Sequence, residues 1–138
     1  MTLTEFRLNH STLIEHYQYI ESHLEGIYAV LSNKNFLDSL KDVEFSNFKQ
    51  IIAKIKFLKP TIFTKEEYQH LEEVFQKRNF WCHNCYYDLV FDRKTGDPKK
   101  AEDAKRLIDD LREAEQLREY LYNKKIELSK KNKFYSCI

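Results

Sequence analysis

The stretch 64-TKEEYQHLEEVFQKRNFWCHNCY-86 decides the fold best, because it contains a signal for the start of a helix followed by a long helical pattern. Its first four residues form a capping-box sequence. In such a box the Thr64 hydroxyl accepts a hydrogen bond from the Glu67 backbone amide, and the Glu67 carboxylate accepts one from the Thr64 backbone amide. A set of mostly apolar residues, with one asparagine, then follows the three- and four-residue spacing of an α-helix. They are Tyr68, Leu71, Phe75, Asn79, Cys82 and Tyr86. This pattern predicts a helix that continues to about Phe91.

The same spacing predicts three further main helices. One runs from about Thr4 to Leu31 and a second from about Asp42 to Leu58. Pro60 ends the second helix, because the residue before a proline is pushed out of the α region. The last helix begins at Asp97-Pro98, where Asp suits the N-cap and Pro the first helical position. A short helical turn is also expected at Phe36–Leu40.

Glycine and proline are scarce, with only two of each among 138 residues. Turn-rich β architectures use these residues freely, so their scarcity favours long helices with few connections. A hydrophobic fraction of 42%, with ten Phe and nine Tyr, is ample for one core at this length. We therefore predict an all-α helical bundle of four main helices in a single domain over residues 1–138. Residues 132–138 are expected to fray.

Cysteine count and hydropathy limit the class of protein further. Three cysteines, an odd number, do not make a disulfide framework. The N-terminus lacks the basic start and apolar core of a signal peptide, and no apolar run approaches the ~20 residues of a membrane span. These features predict a cytoplasmic protein with no membrane association, and nothing in the sequence indicates a cofactor.

Five lysines without a carboxylate stand out against a formal net charge of only +1. They fall between Asn47 and Lys65, across the second predicted helix and the connection after it. Such a run is usually the solvated face of a helix, but it also provides a local basic stripe for an anionic partner. The lysines that we expect to contact RNA, if the protein binds it, are Lys49, Lys54, Lys56 and Lys59.

The segment Trp81-Cys82-His83-Asn84-Cys85 contains the Trp-Cys-x-x-Cys pattern of thioredoxins. Redox cysteines of that family need a helix N-terminus after a strand, whereas these follow about four turns of predicted helix. A zinc site formed by Cys82, Cys85 and either His70 or Cys137 would have only one ligand pair of the usual two. We therefore predict no metal and expect both cysteines of the pattern to lie in the core.

Arg78, Asn79 and His83 form a second constellation in the same helix. An arginine supplies a permanent cation whose donors suit a phosphate, and a histidine moves a proton near neutral pH. Together they suffice to cleave RNA without a metal. Asn79 precedes His83 by four residues and could orient the imidazole. Arg78 and His83 lie about 140° apart on an ideal helix. The arginine arm, a kink or a second subunit must therefore close that angle.

Arg78-Asn79-x-x-x-His83, late in the third helix of a small all-α chain, resembles the R-x(4–6)-H signature of the HEPN superfamily. The resemblance implies a homodimer with both copies of the motif in one cleft, acting as a metal-independent endoribonuclease in toxin–antitoxin or phage-defence systems. His83 would transfer the proton, Arg78 would hold the phosphate and Asn79 would assist. Attack by the ribose 2′-hydroxyl would leave a 2′,3′-cyclic phosphate and a 5′-hydroxyl.

Two further expectations concern partners. One HEPN subgroup, paired with a nucleotidyltransferase antitoxin, carries an AMP-accepting tyrosine two residues after the histidine. That position is Cys85 here, and Tyr86 is the nearest substitute for modification. The alternative to a nuclease is a non-catalytic helical interaction or adaptor protein. Under that hypothesis Arg78 sits in an ordinary ion pair and His83 packs in the core.

Overall fold

The computed structural model describes residues 2–32, 35–83, 85 and 102–131, with side chains from 104 onward in the last range. All regular structure in these ranges is helical, which confirms the all-α prediction. The elements are α1 (Leu3–Leu31), α2 (Phe36–Val43), α3 (Phe48–Leu58), a 3-10 turn (Pro60–Ile62), α4 (Lys65–His83) and α5 (Glu102–Lys131). No described helix is both long and apolar enough to cross a membrane.

Capping boxes explain where α4 and α1 begin. Thr64 and Glu67 form the predicted capping box, with N···O distances of 2.8 and 3.1 Å. Thr2 and Glu5 make the same exchange at the start of α1, both at 3.1 Å. Each pair satisfies two amides that have no acceptor within the helix.

The prediction of a single helix over Asp42–Leu58 is wrong, because the helix is interrupted between Val43 and Phe48. Asn47 caps α3 through its own capping box with Gln50, at 2.9 Å in both directions. The short turn expected at Phe36–Leu40 belongs to the longer α2. The described ranges therefore contain five α-helices, where four main helices and a short turn were predicted. Phe45, counted on the apolar face of the predicted helix, lies in the break and is 94% exposed.

Helix α1 is the central element of the bundle, packing against every other α-helix and most extensively against α5. His16 faces Arg118 and His23 faces Lys125, so both helices advance by seven residues in the same direction. The two long helices are therefore parallel. The largest fully buried side chains at the centre are Leu13, Ile20, Leu24, Ile27, Phe48, Ile51, Ile55, Leu71, Trp81, Leu107 and Leu121.

Several predictions fall on residues outside the described ranges. These are the continuation of α4 to Phe91, the Asp97-Pro98 helix start, the fraying of 132–138, and the positions of Tyr86 and Cys137.

Gly26 lies where α1 meets the Lys125 stem, and a Cβ there would come within 2.6 Å of the Lys125 Cδ. We expect Gly26→Ala to destabilise the protein by about 1 kcal/mol. The displaced Lys125 costs about 1–3 kcal/mol as overpacking, whereas alanine recovers up to about 1 kcal/mol of helix propensity. Urea unfolding measures the difference. The exposed Ser22→Ala on the same helix serves as the control, and a Gly26→Ala protein more stable than wild type would contradict the close contact.

Candidate functional site

The three motif residues lie on one uninterrupted helix, since α4 runs as α-helix from Lys65 to His83. No break in the helix therefore brings Arg78 toward His83 between these two residues. Ideal helical geometry keeps them about 140° apart. Arg78 is half-buried and turned toward α1, whereas His83 is exposed.

Arg78 is held by two neighbours. Its Nη2 lies 3.7 Å from Glu21 Oε2 of α1, and its Nη1 donates to Asn79 Oδ1 at 3.3 Å. Asn79 therefore contacts the arginine, although the sequence suggested that it orients His83. The ion pair exceeds hydrogen-bond distance, so it orients the guanidinium while leaving donors for another acceptor.

The predicted RNA-contacting lysines separate into two sets. Lys49 and Lys56 line a groove of about 520 Å³ between α3 and α4, where the Lys56 ammonium lies 5.2 Å from the centre of the Tyr68 ring. Lys65 lines the same groove. Lys54 instead donates to the Asp42 carbonyl at 2.7 Å, at another surface. Lys59 is the C-cap of α3.

The lysine groove points along α4 toward His83. Lys65 and Glu72 line the groove, and together with Asn79 and His83 they fall within an arc of about 40° on an ideal helix. Helix α3 runs antiparallel to α4, because the ring centres of Phe48 and Phe75 lie 5.7 Å apart while Lys56 lies over the Tyr68 ring. His83 therefore lies about 12 Å beyond Phe75, past the Lys49 end of the groove.

Trp81 fixes the rotation of α4 between the motif residues. Its side chain is fully buried, and Nε1 donates to Asp110 Oδ2 of α5 at 2.7 Å. Its carbonyl oxygen accepts from His10 Nε2 of α1 at 2.7 Å. Lys77 and Arg106 approach the same Asp110 carboxylate at 3.7 and 4.0 Å. Neither the role of Asp110 nor that of His10 was predicted. Helix α5 is rich in charged residues, so the sequence does not distinguish the buried Asp110 from the exposed carboxylates around it.

The two described cysteines differ. Cys85 is buried, as predicted, and its thiol lies 3.3 Å from His10 Nε2. Cys82 is exposed, so its predicted core position is wrong. Burial of the sulfur nevertheless raises the Cys82 pKa, and the nearby Arg78 only partly opposes this. A redox-active cysteine requires the opposite shift, so the thiol of Cys82 lacks the electrostatics of a thioredoxin site.

No group of three or more metal-ligating side chains occurs in the described ranges. His70, one proposed zinc ligand, instead lies 3.4 Å from Glu113. Both residues line a cavity of about 530 Å³ between α4 and α5, whose floor includes Leu71, Leu117 and Leu121. The sequence did not predict this cavity, because it depends on how two separate helices diverge.

Comparison with known proteins finds no matching family model, no matching curated protein and no matching solved structure.

Proposed function

We propose that the protein is a metal-independent endoribonuclease of HEPN type that acts as a homodimer in the cytoplasm. The observation that supports this best is the exposed His83, at the end of an α4 face that continues the lysine groove. Phosphates in the groove would neutralise Lys49 and Lys56 and guide the strand toward the imidazole. Arg78, one and a half turns earlier, offers the phosphate-binding cation.

The proposed chemistry needs only groups of this chain and of the substrate. A base removes the proton of the ribose 2′-hydroxyl, and that oxygen attacks the adjacent phosphorus. The bond from phosphorus to the 5′-oxygen breaks, and the departing oxygen receives a proton. His83 carries out proton transfer, Arg78 stabilises the charge on the phosphoryl oxygens, and Asn79 keeps the guanidinium oriented. The products are a 2′,3′-cyclic phosphate and a 5′-hydroxyl.

A second copy of the chain completes the proposed site. Helix α4 is uninterrupted between the motif residues, and Arg78 is directed toward Glu21 of α1. Neither a break in the helix nor the arginine arm therefore brings Arg78 to His83 within one chain. A symmetric dimer would place Arg78 of one copy beside His83 of the other, twice per dimer. A toxin–antitoxin or phage-defence role, an antitoxin partner and modification at Tyr86 complete the proposal.

A cleavage assay tests the nuclease directly. Purified protein is incubated with tRNA and mRNA in EDTA, and the ends of the products are determined. We expect cyclic-phosphate ends from the wild type and a rate about 10²- to 10⁴-fold lower for His83→Ala. The exposed Gln116→Ala on α5, which does not line the lysine groove, is the control and should cleave normally. Identical RNA after incubation with wild type and His83→Ala would exclude the nuclease.

The second candidate is a non-catalytic interaction protein, which two observations favour. Arg78 sits in an ion pair with Glu21, as that hypothesis requires, although His83 is exposed and not packed in the core. Large apolar side chains are exposed on α2, α3 and the turn between them, with Phe45 94% and Phe57 88% exposed. Exposed aromatic side chains suit a protein partner. A partner that co-purifies with wild type but is lost with Phe57→Ser, together with no RNA cleavage, would establish this function instead.

A further inference from the structure

Two histidines of α1 face two cations of α5 in equivalent positions. Arg118 Nη1 lies 3.2 Å from His16 Nδ1, and Lys125 Nζ lies 3.2 Å from His23 Nδ1. Arginine and lysine side chains have donors but no acceptors, so each Nδ1 must accept the hydrogen bond. Both imidazoles are therefore neutral, with their proton on Nε2. We call these two pairs the histidine latch.

The latch lies in the most extensive helix pair of the protein, beside a groove of about 500 Å³. His23 is only 7% exposed, between the rings of Tyr19 and Tyr122 at 6.1 and 5.5 Å. The Arg118 guanidinium carbon lies 3.7 Å from the centre of the Tyr19 ring. The cations are thus packed against aromatic surfaces and cannot swing away without breaking those contacts.

Protonation of either imidazole changes its pair in two ways. The added proton occupies the Nδ1 lone pair that accepts the hydrogen bond, and it places two like charges about 3 Å apart. We propose that the histidine latch makes the α1–α5 face acid-sensitive: protonation of His16 and His23 separates the two helices there and widens the groove beside them.

The surrounding charges define how each histidine responds. Burial and Lys125, with a further contribution from Arg118, lower the His23 pKa to about 4. Burial and Arg118 also lower the His16 pKa, although Glu115 of α5 and Glu15 of α1 act against this. When α1 and α5 separate, the histidine returns to its ordinary pKa of ~6.5, so the separated state binds protons more readily than the packed state. The packed state is therefore fully stable above pH ~6.5 and loses stability as the pH falls toward the lowered pKa. His23 therefore dominates the latch.

Hydrogen exchange at about pH 7 and about pH 5, corrected for intrinsic rates, tests the latch. We expect protection in segments 14–26 and 116–127 to fall roughly 20-fold on acidification, from His23 alone, relative to segment 48–55 of α3. The double variant His16→Asn/His23→Asn should abolish this additional loss of protection relative to α3, because the asparagine oxygen accepts the same hydrogen bond without titrating. Gln18→Asn controls for the helix propensity of asparagine and should respond like wild type.

Lys125→Met provides an independent variant, since its apolar stem still covers Gly26 while the facing charge is removed. It should reduce the loss of protection by up to about twofold even if the double variant does not fold, because burial continues to lower the His23 pKa. Equal loss of protection in all helices, or a wild-type response from Lys125→Met, would overturn the proposal.

Discussion

Mixing His83→Ala protein with Arg78→Ala protein is expected to restore RNA cleavage to about a quarter of the wild-type rate. Each variant alone should be nearly inactive, because both sites of its homodimer lack one functional group. In a mixed dimer, Arg78 of the His83→Ala copy meets His83 of the Arg78→Ala copy. One of the two sites is then complete. Random exchange makes about half of the dimers mixed, which gives the expected fraction.

The result depends on whether the two groups of a site come from different copies. If Arg78 and His83 of one chain formed the site, every site of the mixed dimer would carry one lesion and no activity would return. Co-expression with two different tags, followed by sequential purification, isolates the mixed dimer and should raise its activity to about half of wild type. A mixture of His83→Ala with His83→Gln is the control and should remain inactive.

The fold was largely predictable from local signals. The Thr64–Glu67 capping box marks a helix start with four residues, and the structure confirms it. The break before Phe48 was missed although Asn47 and Gln50 form a capping box of the same kind. Phe45, within the break, continues the three-residue steps of Phe48 and Ile51, which conceals a break of four residues. Periodicity reports which side of a segment is apolar, whereas caps report where it begins.

The candidate site was predictable only in part, because its residues contact others far away in sequence. The placement of Arg78, Asn79 and His83 on one helix follows from spacing alone. The partners of that helix do not: Glu21, His10 and Asp110 come from α1 and α5 and meet α4 only after packing. The lysine groove shows the same limit. Lys54 and Lys56 are close in sequence, yet they face different elements because they lie about 160° apart around α3.

Replacing Asp110 with alanine is expected to destabilise the protein by about 2–4 kcal/mol. The carboxylate accepts from the buried Trp81 indole at 2.7 Å and lies 3.7 Å from Lys77. Its removal leaves the Trp81 N–H without an acceptor in the core, whereas Lys77 keeps its closer carboxylate partner, Glu113, at 2.9 Å. Water does not replace the lost acceptor, because Trp81 is fully buried and Asp110 is only 7% exposed.

Urea unfolding of three variants separates these contributions. Asp110→Asn retains an oxygen for the indole and should cost less than Asp110→Ala, about 1–2 kcal/mol. Asp109→Ala removes the neighbouring exposed carboxylate and should stay within about 0.5 kcal/mol of wild type. An Asp110→Ala protein as stable as Asp109→Ala would show that the indole contact contributes nothing. Because Trp81 lies between Arg78 and His83, the loosened α4 of Asp110→Ala should also lose RNA cleavage at temperatures where the protein is still folded. The same buried aspartate would then determine both the stability of the bundle and the direction in which the motif faces.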